Sequence, residues 1–214
     1  MQPIDPKGVF RNVSRETFLN LELFSSLLLK WNSSINLIGK STEDDIWERH
    51  IVDSVQIHEY IPDRAKILTD FGSGAGLPGM VIAIMGFPEV NLIESDSRKC
   101  AFLTNVAGTL NLKNVKIHNQ RIEKMKPIKS DVVTARAYAS VNDILKNSRN
   151  FLKTQGLNIL LKGSNVNSEL DEAVKNFKFD AKLYPSITNK ESSIVVISGL
   201  KNESKKPLQD NSRH

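Results

Sequence analysis

The stretch TDFGSGAGLPG, residues 69–79, decides how the chain folds. Three glycines alternate directly after a short apolar run, and Pro78 can sit in the first turn of a following helix, where a missing N–H costs nothing. Glycine adopts positive φ and lets a ligand lie against bare main chain. In an open α/β sheet, ligands bind at the carboxyl end of the first strand. The stretch therefore predicts a ligand-binding turn, the alternative being a glycine-rich turn without a ligand.

Short apolar runs alternate with helical patterns on both sides of this turn. Strands are predicted at 67–71, 90–94, 115–118, 131–135, 157–161 and 194–198, and helices between most of them at 77–85, 97–112, 141–151 and 166–176. This alternation predicts a parallel sheet covered on both faces. Two strand-like runs within 182–198 leave no room for a helix, so they predict a terminal antiparallel hairpin. The expected fold is α/β, a doubly wound, mostly parallel, Rossmann-like sheet with the hairpin ending typical of class I methyltransferases.

The part before the sheet reads as helical. Residues 14–31 have apolar side chains at helical spacing with Ser14 as a cap, and a second helical stretch runs from about 42 to 60 before Pro62 breaks the chain. We therefore expect three parts: an N-terminal helical extension (1–62), a ligand-binding core (63–200) and a flexible polar tail (201–214).

Composition excludes several classes of protein. The 214 residues suffice for one domain with a full core, and a single cysteine, Cys100, rules out an intrachain disulfide. The four histidines lack metal-ligand spacing, so no metal is expected. No apolar run is long enough to span a bilayer and Met1 to Arg11 lacks a signal-peptide core, so we expect a cytoplasmic protein, monomeric by default. The net charge of +5 permits a nucleic-acid partner without requiring one.

The end of the glycine stretch narrows the choice of ligand. A phosphate-binding P-loop ends in Gly-Lys-Ser/Thr, whereas residues 79–81 are Gly-Met-Val, which disfavours a nucleoside triphosphatase. The dinucleotide fingerprint fails when it is counted from the end of the strand. It is satisfied only in the frame of Gly74, Gly76 and Gly79.

Two acidic residues bear on the identity of the ligand: Asp70 distinguishes between adenosine ligands, whereas Glu94 supports an adenosine ligand without distinguishing which. Asp70 beside the turn would repel a pyrophosphate but attract the ammonium and sulfonium groups of S-adenosylmethionine. Glu94 ends the second strand about 20 residues later, where an acid accepts hydrogen bonds from ribose hydroxyls. The alternative for Glu94 is a solvated acid at a strand end. We interpret the turn as a site for S-adenosylmethionine.

With these residues in place, nearly the whole chain, from about 18 to 200, resembles the bacterial RsmG family, also called glucose-inhibited division protein B. These enzymes are 16S ribosomal RNA (guanine-N7) methyltransferases. The motifs occur in family order: Trp31-Asn32 with Asn36-Leu37, then residues 49–54 (RHIVDS), 70–79, Glu94-Ser95 with Lys99 and Phe102-Leu103, 121–123 (RIE), 136–140 (RAYAS) and 161–163 (LKG). Phe71 departs from the small aliphatic residue common in the family, and the polar tail is longer than usual.

The resemblance implies roles for particular residues. Gly72 and Leu77 would line the cofactor pocket, Glu94 would hold the ribose, Ile122 and Glu123 would flank the adenine, and Arg136 would lie at the junction of cofactor and substrate. Together with the residues of the turn, the candidate cofactor site comprises Asp70, Gly72, Gly74, Leu77, Glu94, Ile122, Glu123 and Arg136.

Several polar residues are candidates for binding RNA. Cations follow three predicted strands on the ligand side of the sheet and could contact phosphates or the target base, although solvated charge is the alternative: Arg121, Arg136 and Lys162. Three side chains share one face of the second predicted helix: His50, Asp53 and Ser54. They could contact RNA, or they could dock the helices on the sheet, and both readings stay open. The candidate substrate-binding residues are His50, Arg121, Arg136 and Lys162.

The chemistry implied by the resemblance needs no general base. Guanine N7 has a free lone pair and no proton, so it can attack the methyl group directly, in line with the departing sulfur. We therefore expect no catalytic acid or base, Arg136 as a positioning residue, and a target guanine that is unpaired or flipped out and read on its Watson–Crick edge. The expected partner is 16S ribosomal RNA or the small ribosomal subunit, and naked RNA, an assembling particle and the mature subunit are equally open.

Three rival functions remain on the sequence alone. A small NAD-dependent reductase would share the fold, but the chain offers little room for a separate substrate site. A non-catalytic RNA-binding module could keep a degenerate cofactor pocket. A methyltransferase could also act on a small molecule or a protein.

Overall fold

Seven strands form a single sheet in the computed structural model, which describes residues 8–10 and 13–202. The strands are β1 (Ile67–Phe71), β2 (Glu89–Glu94), β3 (Val115–Asn119), β4 (Ser130–Arg136), β5 (Leu152–Lys162), β6 (Phe177–Pro185) and β7 (Ser193–Asn202). Their order is β3-β2-β1-β4-β5-β7-β6. The first five strands are parallel, and β7 runs antiparallel to both β5 and β6. The predicted doubly wound sheet with a terminal antiparallel hairpin is confirmed.

Helices cover both faces of the sheet. They are α1 (Arg15–Asn32), α2 (Asp53–Val55), α3 (Gly79–Ile84), α4 (Ser97–Thr109), α5 (Val141–Phe151) and α6 (Val166–Ala173). Buried side chains of α1, α3 and α4 share one hydrophobic cluster with one face of the sheet, and those of α5 and α6 share a second cluster with the other face. The topology places β1 between β2 and β4, with Phe71 opposite Ile93 and Ala135. The ends of these three strands therefore meet at one edge, where the glycine turn begins.

The N-terminal helix belongs to the same core as the sheet. Ser14 Oγ accepts a hydrogen bond from the backbone N–H of Thr17, which caps α1 as expected. Leu21, Phe24 and Leu28 are fully buried in the cluster that also holds residues of β1 and α3. Burying an apolar side chain of this size contributes about 1.5–3 kcal/mol. The helical extension is therefore packed into the sheet domain.

The second predicted helix is shorter and less regular than expected. In place of one helix from 42 to 60, a 3-10 turn (Lys40–Thr42) is followed by a composite helix, residues 47–60, made of a π-helix, α2 and a 3-10 helix. Polar side chains before the composite helix bond elsewhere: Thr42 Oγ1 donates to the carbonyl of Gly39, and Glu43 accepts from Asn32. Such bonds compete with helical hydrogen bonds, so the helix begins later.

Other boundaries shift by a few residues. Helix α3 begins at Gly79, so Pro78 precedes the first turn and the predicted placement within it is wrong by one residue. Strand β5 begins at Leu152, and β7 continues to Asn202 because it stays paired with β6 as far as Phe177. The predicted tail therefore begins later than 201, and residues 203–214 lie outside the described part of the chain.

Candidate functional site

The aromatic ring of Tyr138 lies directly against the glycine turn that follows β1. Gly72 has φ +60°, and a Cβ at this position would be 2.2 Å from Cδ2 of Tyr138. Gly74 also has positive φ, +52°, but a Cβ there would have as its nearest neighbour the carbonyl oxygen of Gly72 at 3.7 Å. Position 72 therefore needs glycine because φ is positive and because the Tyr138 ring leaves no room for a Cβ. Position 74 needs glycine for its positive φ alone.

Asp70 lies beneath the turn rather than beside it. Its side chain is fully buried, and Oδ1 accepts a hydrogen bond of 2.7 Å from Oγ1 of Thr134 in β4. Burial raises the pKa of Asp70 to about 6, although the bond from Thr134 acts in the opposite direction. A Cβ on Gly79 would be 2.7 Å from the Cβ of Asp70, so the first residue of α3 must be small. Asp70 does not line the cleft above the turn, which differs from the position expected from the sequence.

Glu94 ties the end of β2 to the glycine turn. Its Oε2 accepts from the backbone N–H of Gly74 at 2.9 Å, and its Oε1 accepts from the N–H groups of Ser95 and Asp96 at 2.7 and 2.8 Å. The side chain is largely buried. Two carboxylate oxygens offer about four lone-pair positions, so the group can accept a further hydrogen bond from a ligand.

A cleft of about 390 Å³ opens above the turn. It is bordered by the ends of β1, β2 and β4 and by the 3-10 helix Ile122–Lys124. Its lining includes Gly72, Gly74, Leu77, Glu94, Arg121, Ile122, Glu123, Arg136 and Tyr138. Seven of the eight candidate cofactor residues therefore lie together, and Asp70 lies below them.

Arg136 is held in place at the end of β4. Its Nη1 donates to Oδ2 of Asp53 at 2.8 Å and to the carbonyl of Arg49 at 3.1 Å, and its Nη2 donates to Nδ1 of His50 at 2.5 Å. The side chains of Arg136 and Asp53 are only 18% and 14% exposed, so the ion pair is shielded from water. These contacts dock the composite helix on the sheet, as the second of the two readings suggested. Ser54, fully buried, donates to the carbonyl of His50.

His50 is a neutral part of this cluster. Burial, together with the charges of Arg136 and Arg49, lowers the pKa of His50 to about 4. Guanidinium has no acceptor, so Nδ1 must accept from Arg136 and the proton resides on Nε2, which lies 2.8 Å from Thr42 Oγ1. His50 thus orients Arg136, and it does not present a charge to a ligand.

A second cleft of about 320 Å³ adjoins the first, and Arg136 and Ala137 line both. Its walls come from the composite helix, the segment after β5 and the loop between β6 and β7. Its lining includes Arg49, His50, Asp53, Gln56, Lys162, Gly163, Glu169, Ser186, Thr188 and Asn189. Ala137 has φ +48°, which is uncommon for a residue with a Cβ, and this bend separates Arg136 from Tyr138.

Lys162 has partners inside the second cleft. Its Nζ donates to Oε2 of Glu169 at 2.6 Å and to the carbonyl of Ala139 at 2.9 Å, and its side chain is 11% exposed. Lys162 is therefore not placed to meet RNA phosphates on the surface. Arg121, in contrast, is exposed at the rim of the first cleft.

Two residues of the site were not singled out from the sequence. Tyr138 covers Gly72, and its ring contacts Phe71 edge-to-face at 6.4 Å between centroids. Its position two residues after Arg136, at the end of a strand, was the available signal. Glu169 lies on α6 and enters the second cleft, and nothing in its local sequence distinguishes it from other helical acids.

No group of three or more potential metal ligands occurs within residues 8–10 and 13–202. In the same part of the chain, no helix is both long and apolar enough to cross a membrane.

Solved structures share this fold. A SAM-dependent methyltransferase from Aquifex aeolicus superposes with a TM-score of 0.56 at 13% identity, covering 81% of this chain and 97% of that one. A ribosomal protein L11 methylase from Lactobacillus delbrueckii gives a TM-score of 0.57 at 14% identity, covering 69% and 76%. The sheet order, glycine turn and acid at the end of β2 define a class I methyltransferase, the class whose cofactor is S-adenosylmethionine.

The sequence relatives identify the family. Residues 18–195 match the family model of GidB, rRNA small subunit methyltransferase G. A ribosomal RNA small subunit methyltransferase G from Orientia tsutsugamushi is 45% identical, covering 87% of this chain and 92% of that one. A protein of the same name from Paramagnetospirillum magneticum is 46% identical, covering 83% and 86%. The chain belongs to the GidB family of small-subunit rRNA methyltransferases.

Proposed function

We propose that this protein transfers the methyl group of S-adenosylmethionine to N7 of one guanine in 16S ribosomal RNA, by direct in-line attack without a general base. The observation that carries the proposal is the junction of two clefts at Arg136 and Ala137. One cleft has the glycine turn and acid that suit an adenosyl ligand, and the other has room for a base. Family membership supports RNA of the small subunit as the substrate.

The first cleft fits the cofactor. A Cβ on Gly74 would have only an ordinary contact, with the carbonyl oxygen of Gly72 at 3.7 Å, and Glu94 keeps acceptor capacity for ribose hydroxyls. In this proposal Gly72 and Leu77 line the pocket, and Ile122 and Glu123 flank the adenine. The bound cofactor supplies an electrophilic methyl group on a sulfonium. Asp70 supports the conformation of the turn from the buried side, and in this proposal it does not contact the cofactor directly.

The chain's own residues have the task of positioning. Arg136 is neutralised by Asp53 and oriented by His50, so it can border both ligands without placing an unpaired cation against a base that gains positive charge. Guanine N7 carries no proton, and no side chain has to remove one. In this proposal the enzyme acts as a monomer, with Arg121 at the rim available to RNA phosphates.

The test is mass spectrometry of nucleosides from small ribosomal subunits and from naked 16S RNA, each incubated with S-adenosylmethionine with and without the protein. We expect 7-methylguanosine, at about one per RNA molecule, from one of the two substrates. Methylation at another atom, or only of protein or small molecules, would contradict the proposal.

A further inference from the structure

We infer that Glu169 selects guanine as the target base, by accepting hydrogen bonds from its N1–H and N2 amino groups within the second cleft. This inference rests on the proposed function. It assigns a specificity-determining residue to the wall of a cleft that adjoins the cofactor cleft but does not belong to it.

The arrangement of the clefts fixes which edge of the base Glu169 would meet. The two clefts share Arg136 and Ala137, so a reacting N7 must face that border. On guanine, O6 lies beside N7, and N1–H and the N2 amino group follow O6 along the Watson–Crick edge at increasing distance from N7. With N7 at the border, this edge would face into the second cleft, whose lining includes Lys162 and Glu169. The second cleft, of about 320 Å³, is large enough for a small organic ligand.

Of the two carboxylates that line this cleft in the described part of the chain, Asp53 is already occupied. Its Oδ2 accepts from Arg136, and its Oδ1 accepts from Gln56 at 2.8 Å and Thr188 at 2.7 Å. Glu169 is different. The hydrogen bonds recorded for it, from the backbone N–H of Val141 at 2.8 Å and from Lys162, are both accepted by Oε2. Oε1 keeps its lone pairs for the N–H groups of a base.

The neighbouring Lys162 completes a pattern that matches guanine. Its Nζ uses two of its three protons on Ala139 and Glu169, which leaves one for guanine O6. The ion pair places the ammonium of Lys162 beside the carboxylate of Glu169, as O6 lies beside N1–H on the guanine edge. Adenine presents the reverse order, an amino donor at position 6 and an unprotonated N1, so each contact would become a repulsion. The pair therefore favours guanine and rejects adenine.

The charge of the pair also suits the chemistry. Lys162 and Glu169 are 11% and 25% exposed, so their charges offset each other in a site with little water. The positive charge that develops on the base meets a carboxylate rather than an unpaired ammonium.

The experiment compares the wild-type protein with Glu169→Gln on subunits whose 16S RNA carries guanosine or inosine at the target, which wild-type methylation first locates. Inosine lacks only the N2 amino group. We expect wild-type kcat/KM for guanosine to exceed that for inosine by about tenfold or more, the range of a specific base contact. In Glu169→Gln, kcat/KM for guanosine should fall about 10- to 100-fold and the preference over inosine should nearly vanish. Glu172→Gln, a neighbouring exposed acid paired with Lys175, is the matched control and should change neither value.

The outcomes separate this inference from the proposed function. If wild-type protein does not discriminate between guanosine and inosine, the inference fails whatever the variant does. If Glu169→Gln loses rate on both substrates equally, Glu169 only supports the fold, and the inference is overturned. If wild-type protein deposits no methyl group on guanine N7, the proposed function itself fails and this inference falls with it.

Discussion

Nη2 of Arg136 donates a hydrogen bond to Nδ1 of His50, so the last residue of β4 and the π-helical part of the composite helix hold each other in register. The same guanidinium pairs with Asp53 on the next turn. The planar guanidinium of Arg136 is bonded to two fixed partners and therefore has little rotational freedom. Because Arg136 lines both clefts, the packing of the N-terminal helices on the sheet sets the border between them.

Replacing Arg136 with alanine is expected to leave the sheet folded and to abolish most methyl transfer, about 100-fold or more, since small displacements near reacting atoms cost this much. Arg136→Lys keeps the charge but cannot make the hydrogen bonds to His50 and Asp53 at the same time, so its rate of methyl transfer should also fall. Rates of methyl transfer to 16S RNA, with circular dichroism for folding, provide the measurement. Arg98→Ala, which removes an exposed ion pair with Asp96, is the control. Near-normal turnover of Arg136→Ala would remove this residue from the site.

His50 is expected to remain neutral down to unusually low pH. Its pKa of about 4 lies below the ordinary 6.5, because burial and two neighbouring arginines disfavour the charged ring. The free energy that His50 contributes to folding is therefore fully present above pH 6.5 and is lost as the pH falls toward 4. NMR titration of the four imidazole rings, assigned with His50→Gln, measures this directly. A His50 ring that titrates near pH 6.5 would contradict the buried geometry.

Asp70 should give a pH dependence of the opposite sign. Its folded pKa of about 6 lies above the ordinary 3.8, so the folded state binds more protons and stability falls as the pH rises from about 4 to 6. In Asp70→Asn this loss is absent. The difference in unfolding free energy between wild type and variant should shift by about 2–3 kcal/mol between pH 4 and 7, in favour of the variant at the higher pH. Urea titrations at several pH values test this, and a constant difference would show that Asp70 titrates normally.

Two neighbouring glycines should respond differently to alanine. At Gly72 the new Cβ would meet the Tyr138 ring, adding about 1–3 kcal/mol of crowding to about 1–2 kcal/mol of backbone strain. At Gly74 the strain alone applies, and the Cβ would enter the cofactor cleft. Thermal unfolding should therefore show the larger loss for Gly72→Ala, and a Tyr138→Ala background should relieve part of it. Gly108→Ala, in open space on α4, should be neutral or slightly stabilising. Equal losses at 72 and 74 would argue against the ring contact.

Glu94→Gln should weaken binding of S-adenosylmethionine about 10- to 100-fold. An amide has only one acceptor oxygen, so its NH₂ must face either the N–H of Gly74 or those of Ser95 and Asp96. Isothermal titration calorimetry provides the measurement. Glu89→Gln, at the other end of β2 in a partly exposed pair with Lys116, is the control and should bind normally. Unchanged affinity in Glu94→Gln would exclude this carboxylate from the ribose site.

The features of the fold that could be predicted from the sequence were those that depend on local patterns. The bounds of β1 and α5 were predicted correctly, since a mostly apolar run and a well-spaced amphipathic stretch report burial directly. The polar contacts of the site were beyond such reasoning. Periodicity shows which face of an element is apolar, but not that Asp53 binds Thr188, 135 positions away, or that Lys162 binds Glu169 rather than a phosphate. The burial of Asp70 was likewise missed, because its charge suggested an exposed position.

The loop between β6 and β7 reaches back to the composite helix, where Ser186 and Thr188 meet Asp53 and Gln56. During synthesis, the residues that would bind the methyl donor are therefore all made well before the wall that would receive the base. A chain cut off before the last hairpin would lack the part of the acceptor wall that lies between Ser186 and Ile194. Changes in this late hairpin should consequently disturb the handling of RNA far more than the binding of the donor.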